Sequence, residues 1–400
     1  MPDILSQGSE HEPRSRPWRR LAVIAALVAA AAVVIAVRVP WSGHGGHPGR
    51  HAAASPAPSG PAVVSLPREP NGVAGPVRPW SPSLRLPVSG PQPVWYWPAT
   101  GRRQAVGALP RTTSGYEFTR AVGGWAIQPE APSEANCGDC AGPQLPVYFL
   151  DDRASSVSVV GAANAVAPAV RAGALWLISF PSRASLGTAT GTAQEVSASG
   201  ARIGGPVQLP PGYVIAQATT RGLLLSPSSA GRAATTARLW NQAGPGFTRT
   251  FRNVIATGSS EVAWTPPCAA VCQVRVLNLS TGHTTVITMP KGSTPASGAL
   301  SPDGRLLALQ ASYASGSAGG SLALQLEVAS VRSGRLTAVP GTFASSDALV
   351  AFGWPARSDS LVAELGFTTK VQLAAWHPGA RRPAVVDLSP HEDVTALVVG

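Results

Sequence analysis

The chain has 400 residues, of which 44% are hydrophobic and 13% charged, with a formal net charge of +11. That length allows two or three domains. From Arg102 onward, 22 Lys and Arg stand against 16 Asp and Glu, and only Arg102-Arg103 and Arg381-Arg382 are adjacent basic pairs. Nucleic-acid readers concentrate their cations on one face or helix, so DNA and RNA are excluded as expected partners.

Met1 to Arg20 is too short to bury a core, which rules out a signalling domain there. Arg14, Arg16, Arg19 and Arg20 then precede 17 consecutive apolar residues, Leu21 to Val37, without charge, Pro or Gly. A helix of that length covers ~26 Å, close to a hydrocarbon core of ~30 Å. Trp18 and Trp41 flank it where indole prefers the headgroup region. The run is read as a single-pass anchor over 21–37, with residues 1–20 cytoplasmic and everything after Val37 outside the cell. A cleaved signal peptide is the rival reading. Against it, the run is long for a secretory core, and Arg38-Val39-Pro40-Trp41 replaces a small-residue end. Residues 38–82 are dominated by Pro, Gly, Ala, Ser and His and form an expected stalk, because they have too little apolar surface to offset ordering. His44, His47 and His51 lie in it with no frame to make them a metal site.

From about Leu84, short apolar runs alternate with Gly, Pro, Ser and Asp, the pattern of an all-β domain over residues 83–400. The clearest unit is strand Gly298-Ala299-Leu300, turn Ser301-Pro302-Asp303-Gly304, and return strand Leu306 to Gln310. Pro presets φ in that turn, and Gly closes it without a Cβ clash. Two more strands, Leu322 to Val328 and Leu336 to Val339, complete a set of four, A to D. Five further sets are expected, beginning at Tyr116, Ala165, Tyr213, Val254 and Leu349. Their spacing of about 45 residues is near that of propeller blades. At the front, Leu84 to Val88, Val94 to Trp97 and Ala105 to Leu109 read as B, C and D without an A. Val394 to Val399 is a lone A strand at the other end. Pairing the two ends gives a seven-bladed β-propeller with no open edge at the seam; six blades is the alternative.

The run Ser301-Pro302-Asp303-Gly304-Arg305-Leu306-Leu307-Ala308 resembles the A–B hairpin of TolB-like and WD-repeat-like propellers. The resemblance covers about three quarters of the chain, but the motif is strong in one blade only, and no Trp-Asp dipeptide occurs. It implies a fold and a habit of binding proteins or ligands; it implies no reaction. A composition rich in Ala and Arg and poor in Lys points to a GC-rich bacterial genome of the actinobacterial type.

Cys137 with Cys140, and Cys268 with Cys272, each follow a B strand in the loop toward C. In an oxidising compartment two local disulfides are expected. A four-Cys zinc site would need both loops to reach across the channel, and a redox pair would need a helix N-terminus or cation to lower its thiol. His283, His377 and His391 fall in loops. Gly-x-Ser-x-Gly, phosphate-loop and His-Glu-x-x-His motifs are missing, so no catalytic residue, cofactor or metal is assigned. Trp95, Tyr96 and Trp97 are read first as blade packing, which explains most aromatics of such a fold, and they are also the candidate binding surface. The function expected is a membrane-anchored extracytoplasmic binding or scaffold module for an envelope protein or cell-wall ligand, its contact face near the loop Pro129 to Gln144. An extracytoplasmic propeller enzyme (lyase, hydrolase or quinone-dependent oxidoreductase) is the second reading.

Overall fold

A computed structural model describes residues 80–388, apart from 89, 114, 131–139, 183, 229–235, 242–243, 245, 314–322, 343, 346–348, 356–357 and 367–370. The expected tail, anchor, stalk and C-terminal strand Val394 to Val399 lie outside the described residues. So does Cys137.

Seven antiparallel sheets follow one another along the chain, each a meander of consecutive strands. Blade 1 has Leu86–Val88, Val94–Trp97 and Arg102–Ala105, in positions B to D. Blade 2 has Tyr116–Ala121, Gly124–Pro129, Leu145–Asp151 and Ser158–Ala163. Blade 3 has Ala165–Pro168, Ala174–Ser179, Thr192–Ser197 and Arg202–Gln208. Blade 4 has Tyr213–Thr219, Gly222–Pro227, Thr236–Asn241 and Gly246–Arg252. Blade 5 has Val254–Thr257, Glu261–Trp264, Gln273–Asn278 and Thr284–Thr288. Blade 6 has Ser293–Leu300, Leu306–Tyr313, Ala323–Ser330 and Leu336–Ala338, with Ala344–Ser345 also pairing its third strand. Blade 7 has Leu349–Gly353, Leu361–Gly366, Val371–Trp376 and Ala384–Leu388.

One expectation is corrected. Strand D of blade 1 is Arg102–Ala105, not Ala105 to Leu109. Thr100 and Gly101 both donate backbone N–H to Trp97 O, so the chain reverses at once and pairs Arg102 with Trp97. Val106 and Leu109 look like strand residues because they are apolar, but they belong to the connection that packs between blades 1 and 2.

The burial pattern explains why the B strands read as unbroken apolar runs. In blade 3, five of the six residues of Ala174–Ser179 are buried, because a neighbouring blade covers each face of the sheet. The D strands lie on the rim and are mostly exposed, as in Arg202–Gln208 and Gly246–Arg252. The A strands of adjacent blades lie against one another, which places them at the axis. Blades 4 to 7 each carry a register shift within strand A, between Ile215 and Gln217, Val254 and Ala256, Pro295 and Ser297, and Leu349 and Ala351. An extra residue there sharpens the strand's twist, a recurring device of the repeat.

The core is divided into seven apolar clusters, one for each junction between successive blades. The seventh junction decides the architecture. Leu86 and Tyr96 of blade 1 pack with Val362, Leu373 and Ala384 of blade 7, so the last sheet meets the first and the ring is closed. The protein is a seven-bladed all-β propeller.

A meander of antiparallel strands puts every A–B and C–D turn at one end of the ring and every B–C and D–A connection at the other. At the first end the turns of neighbouring blades touch. Gly173 donates its N–H to Val122 O, and Thr220 donates to Ser259 O. Gly304, in the Ser-Pro-Asp-Gly turn of blade 6, has φ +68, and a Cβ there would meet Glu261 Oε2 of blade 5 at 2.6 Å. Gly304→Ala is therefore expected to destabilise the domain by about 1–2 kcal/mol from the left-handed backbone alone, read as a lower denaturant midpoint at unchanged slope.

Candidate functional site

The cysteines sit at the B–C end. Cys268 and Cys272 form a disulfide with Cα atoms 4.6 Å apart. Cys272 is buried against the cluster between blades 5 and 6, so the bond fixes its loop to the core. Cys140 pairs with Ser185 in an isolated bridge to blade 3, and there is no free thiol among the described cysteines. The segment 131–139 lies outside the described residues, and with it most of the loop expected to carry the contact face.

The aromatic strand behaves as packing. Trp95 is 1% exposed and Tyr96 5%, leaving only Trp97 half-buried. Alternation sends Trp95 into the junction with blade 2 and Tyr96 into the junction with blade 7. The Arg85 guanidinium stacks on Trp95 at 4.1 Å, and Arg102 on Trp97 at 4.8 Å. Arg85 also donates to Asp152 O and Ala154 O in the C–D turn of blade 2. Arg221, at the A–B turn of blade 4, makes the same reach to Leu279 O and Ser280 O of blade 5. An arginine from one blade thus ties down the turn of the next.

Within blades, polar pairs join the A–B and C–D corners. Arg120 meets Asp152 in a two-pronged ion pair of 2.7 and 2.8 Å. Asn278 donates to Glu261 Oε1 at 3.0 Å in blade 5. In blade 7, His377 Nε2 lies against Asp359, while its Nδ1 is 3.0 Å from Pro378 O. Both ring nitrogens are engaged, so His377 is a turn residue and not a free base. His283 is exposed in the C–D turn of blade 5. His391 lies outside the described residues. Asp151 and Asp152 lie at the C–D turn of blade 2, where Asp151 Oδ1 accepts from Arg153 N–H. Among the described residues no three His, Cys, Asp or Glu side chains gather as a metal site would need.

Sequence reasoning missed a recess of about 350 Å³ between blades 4 and 5, opening toward the A–B and C–D end. Leu239, Leu277 and Leu279 give it an apolar floor, and Arg221, Arg249, Asn241 and Thr248 give it polar walls. Arg249 is positioned over the rings of Phe251 and Trp264, at 5.4 and 5.9 Å. Its wall therefore carries two guanidiniums, an amide and a hydroxyl, groups that do not gain or lose protons near neutral pH. The recess is built from three strands and two turns of two blades, so no local motif signals it.

One carboxylate pair lies elsewhere. Glu117, on the axial strand of blade 2, has its pKa raised by desolvation and by the nearby charge of Glu130.

No family model matches the chain, and no curated protein is similar to it in sequence. Solved structures similar to it include a protein from Lactobacillus plantarum (13% identity, 76% of this chain and 95% of that one, TM-score 0.44). TolB from Acinetobacter baumannii matches at 10% identity over 75% of this chain and 64% of that one, TM-score 0.39. An acylaminoacyl peptidase in complex with a chloromethyl ketone matches at 10% identity, TM-score 0.49, and the 75% of this chain that aligns spans about half (49%) of that enzyme. Similarity at these levels concerns the propeller alone and transfers no activity.

Proposed function

We propose that the chain is a membrane-anchored, extracytoplasmic propeller that binds a ligand or partner and does not itself catalyse a reaction. The recess between blades 4 and 5 carries this reading. Arg221 is held by Leu279 O and Ser280 O and the Thr248 hydroxyl by Leu239 O, which leaves the exposed Arg249 guanidinium as the cation that faces a ligand. It stays protonated throughout the physiological range, so the site is equipped to retain an anion on an apolar body rather than to move a proton. The apolar run 21–37 with its preceding arginines supports the location. Among the described residues no helix is long and apolar enough to cross a membrane, so Leu21 to Val37 is the segment to test. Protease added to intact cells should remove a C-terminal tag and spare an N-terminal one; the reverse pattern would refute the topology.

The recess has its own test. A screen of small carboxylates and phosphate monoesters on the full chain should find compounds that raise its melting temperature. A ligand at 100 times its Kd adds about 2.7 kcal/mol of stability. Arg249→Gln, on an exposed rim strand, should abolish that gain while lowering the unliganded stability by no more than about 1 kcal/mol, the worth of its stacking on Phe251 and Trp264. A gain that survives the substitution would place the ligand elsewhere.

The second reading, a propeller enzyme, rests on two neighbouring carboxyls at the axis, Glu117 and Glu130, where desolvation and then the nearby charge of Glu130 raise Glu117. A turnover lost in Glu117→Gln without loss of binding would support it.

A further inference from the structure

Chain order scatters the arginines, but the ring gathers a set of them. Arg332 and Arg335 sit in and beside the C–D turn of blade 6, and Arg381 and Arg382 in that of blade 7. Arg102 and Arg103 directly follow the turn of blade 1. Blades 6, 7 and 1 are neighbours. Ala380, in the turn of blade 7, packs on the cluster shared with blade 6, and Ala384 of blade 7 packs with Tyr96 of blade 1. Three consecutive rim turns therefore carry three pairs of arginines along one arc, at the same end of the ring. All six are exposed.

The electrostatics of the arc are one-sided. Residues 98–103, 331–335 and 377–383 contain no Asp or Glu. The described acids on the neighbouring A–B turns are already engaged: Asp303 with Ser301 and Arg305, and Asp359 with His377. The side chains of Arg332, Arg335, Arg381 and Arg382 form no hydrogen bond or ion pair with a described residue. Every cation of the arc is an arginine, the side chain whose planar fork pairs two-to-two with phosphate or carboxylate. Pairs recurring from blade to blade match a ligand whose anions recur along its length. The arc offers no stacking platform for bases, because Tyr96 is buried and Trp97 lies beneath the Arg102 guanidinium. Single-stranded nucleic acids are held largely by such stacking.

We propose that the arc across blades 6, 7 and 1 docks a linear, non-nucleic polyanion: a glycan or polyol chain with phosphate or carboxylate groups at regular intervals. This rests on the reading of the domain as a binding module and names the chemistry of one partner.

The test uses the full chain in non-ionic detergent. Fluorescent poly(glycerol phosphate) and polygalacturonate are the two probes, distinguishing phosphate from carboxylate as the recognised anion. The arc variant is R332Q/R335Q/R381Q/R382Q. The control, R111Q/R202Q/R252Q/K291Q, removes the same charge from exposed sites elsewhere. Wild type should bind at least one polymer with an affinity that falls steeply with salt. The arc variant should bind about 100-fold more weakly with a salt slope smaller by about 2–3, and the control should change less than about 3-fold. Unchanged melting temperatures exclude a folding defect. Equal losses in the two variants would mean that net charge alone is read, and would overturn the proposal. So would failure to bind either polymer, or tighter binding to DNA or to anionic vesicles. A cytosolic location in the protease experiment would refute the topology above while leaving this measurement standing, so the two failures are distinct.

Discussion

Trp95→Ala is expected to cost about 3–5 kcal/mol of stability, enough to unfold much of the population of a marginally stable domain. The residue is 1% exposed and fills the junction between blades 1 and 2 with Tyr116, Phe118 and Trp125. Removing its rings leaves a cavity that the surrounding strands, fixed by their own ladders, cannot close. It also deprives the Arg85 guanidinium, 4.1 Å from the ring, of its stacking partner. Trp97→Ala, two residues on, should cost about 1 kcal/mol, because that ring is half-buried and its stacked Arg102 is exposed. Urea denaturation of the two variants separates packing from surface. Similar small losses for both would mean that Trp95 is not the keystone of that junction.

Stability is expected to fall as pH rises from about 5 to 8, and Glu327→Gln should remove most of that fall. Glu327 lies 4% exposed in the third strand of blade 6, with the Tyr313 hydroxyl 3.5 Å from its Oε1. Burial raises its pKa to about 7, against an ordinary value of 4.5, although the hydrogen bond from Tyr313 works the other way. Tyr313 itself is pushed to about 12 by burial and by the nearby carboxylate, so it stays a neutral donor throughout this range. Below pH 4.5 the carboxyl is protonated in folded and unfolded chains alike, and it contributes no pH dependence. Between the two pKa values the folded chain holds a proton that the unfolded chain has lost, so each step up in pH favours unfolding. Above pH 7 the loss is complete, at roughly 2–4 kcal/mol. Glu327→Gln keeps the shape and an acceptor for Tyr313 without the charge. It should match wild type near pH 4.5 and exceed it by a few kcal/mol at pH 8. Glu117 and Glu261 are raised in the same direction by desolvation, so the difference between the two curves, not the wild-type curve alone, isolates Glu327. Parallel curves would refute the assignment.

What the sequence made legible was local. Ser301-Pro302-Asp303-Gly304 announced its hairpin because turn chemistry is written in four consecutive residues, and here Ser301 Oγ donates to Asp303 Oδ1 and accepts from Leu306 N–H. The B strands announced themselves through unbroken apolar runs, their period pointed to blades, and the count of seven came from six full sets and a partial set at the front. Strand Arg102–Ala105 was missed because an exposed rim strand has no apolar signature, while Val106 and Leu109 in the next connection do. The alternation in Trp95-Tyr96-Trp97 was readable, and so was blade packing as its first explanation, but not which junction each side fills. The recess and the arginine arc were beyond reach for one reason. Each is assembled from residues of two or three blades, far apart in the chain, and becomes visible only when the closed ring sets their turns side by side.

The junction between blade 7 and blade 1 has a bearing on how the protein is made. Leu86 and Tyr96 are among the first residues of the domain to leave the ribosome, and their partners Leu373 and Ala384 are nearly the last. No blade owns a complete hydrophobic interior, so the opening sheet must wait, its greasy side uncovered, until almost the entire domain has been synthesised. Contacts so distant along the chain form slowly and leave adhesive intermediates behind them. A cell making this propeller would need to shield that first sheet until the last one arrives to cover it.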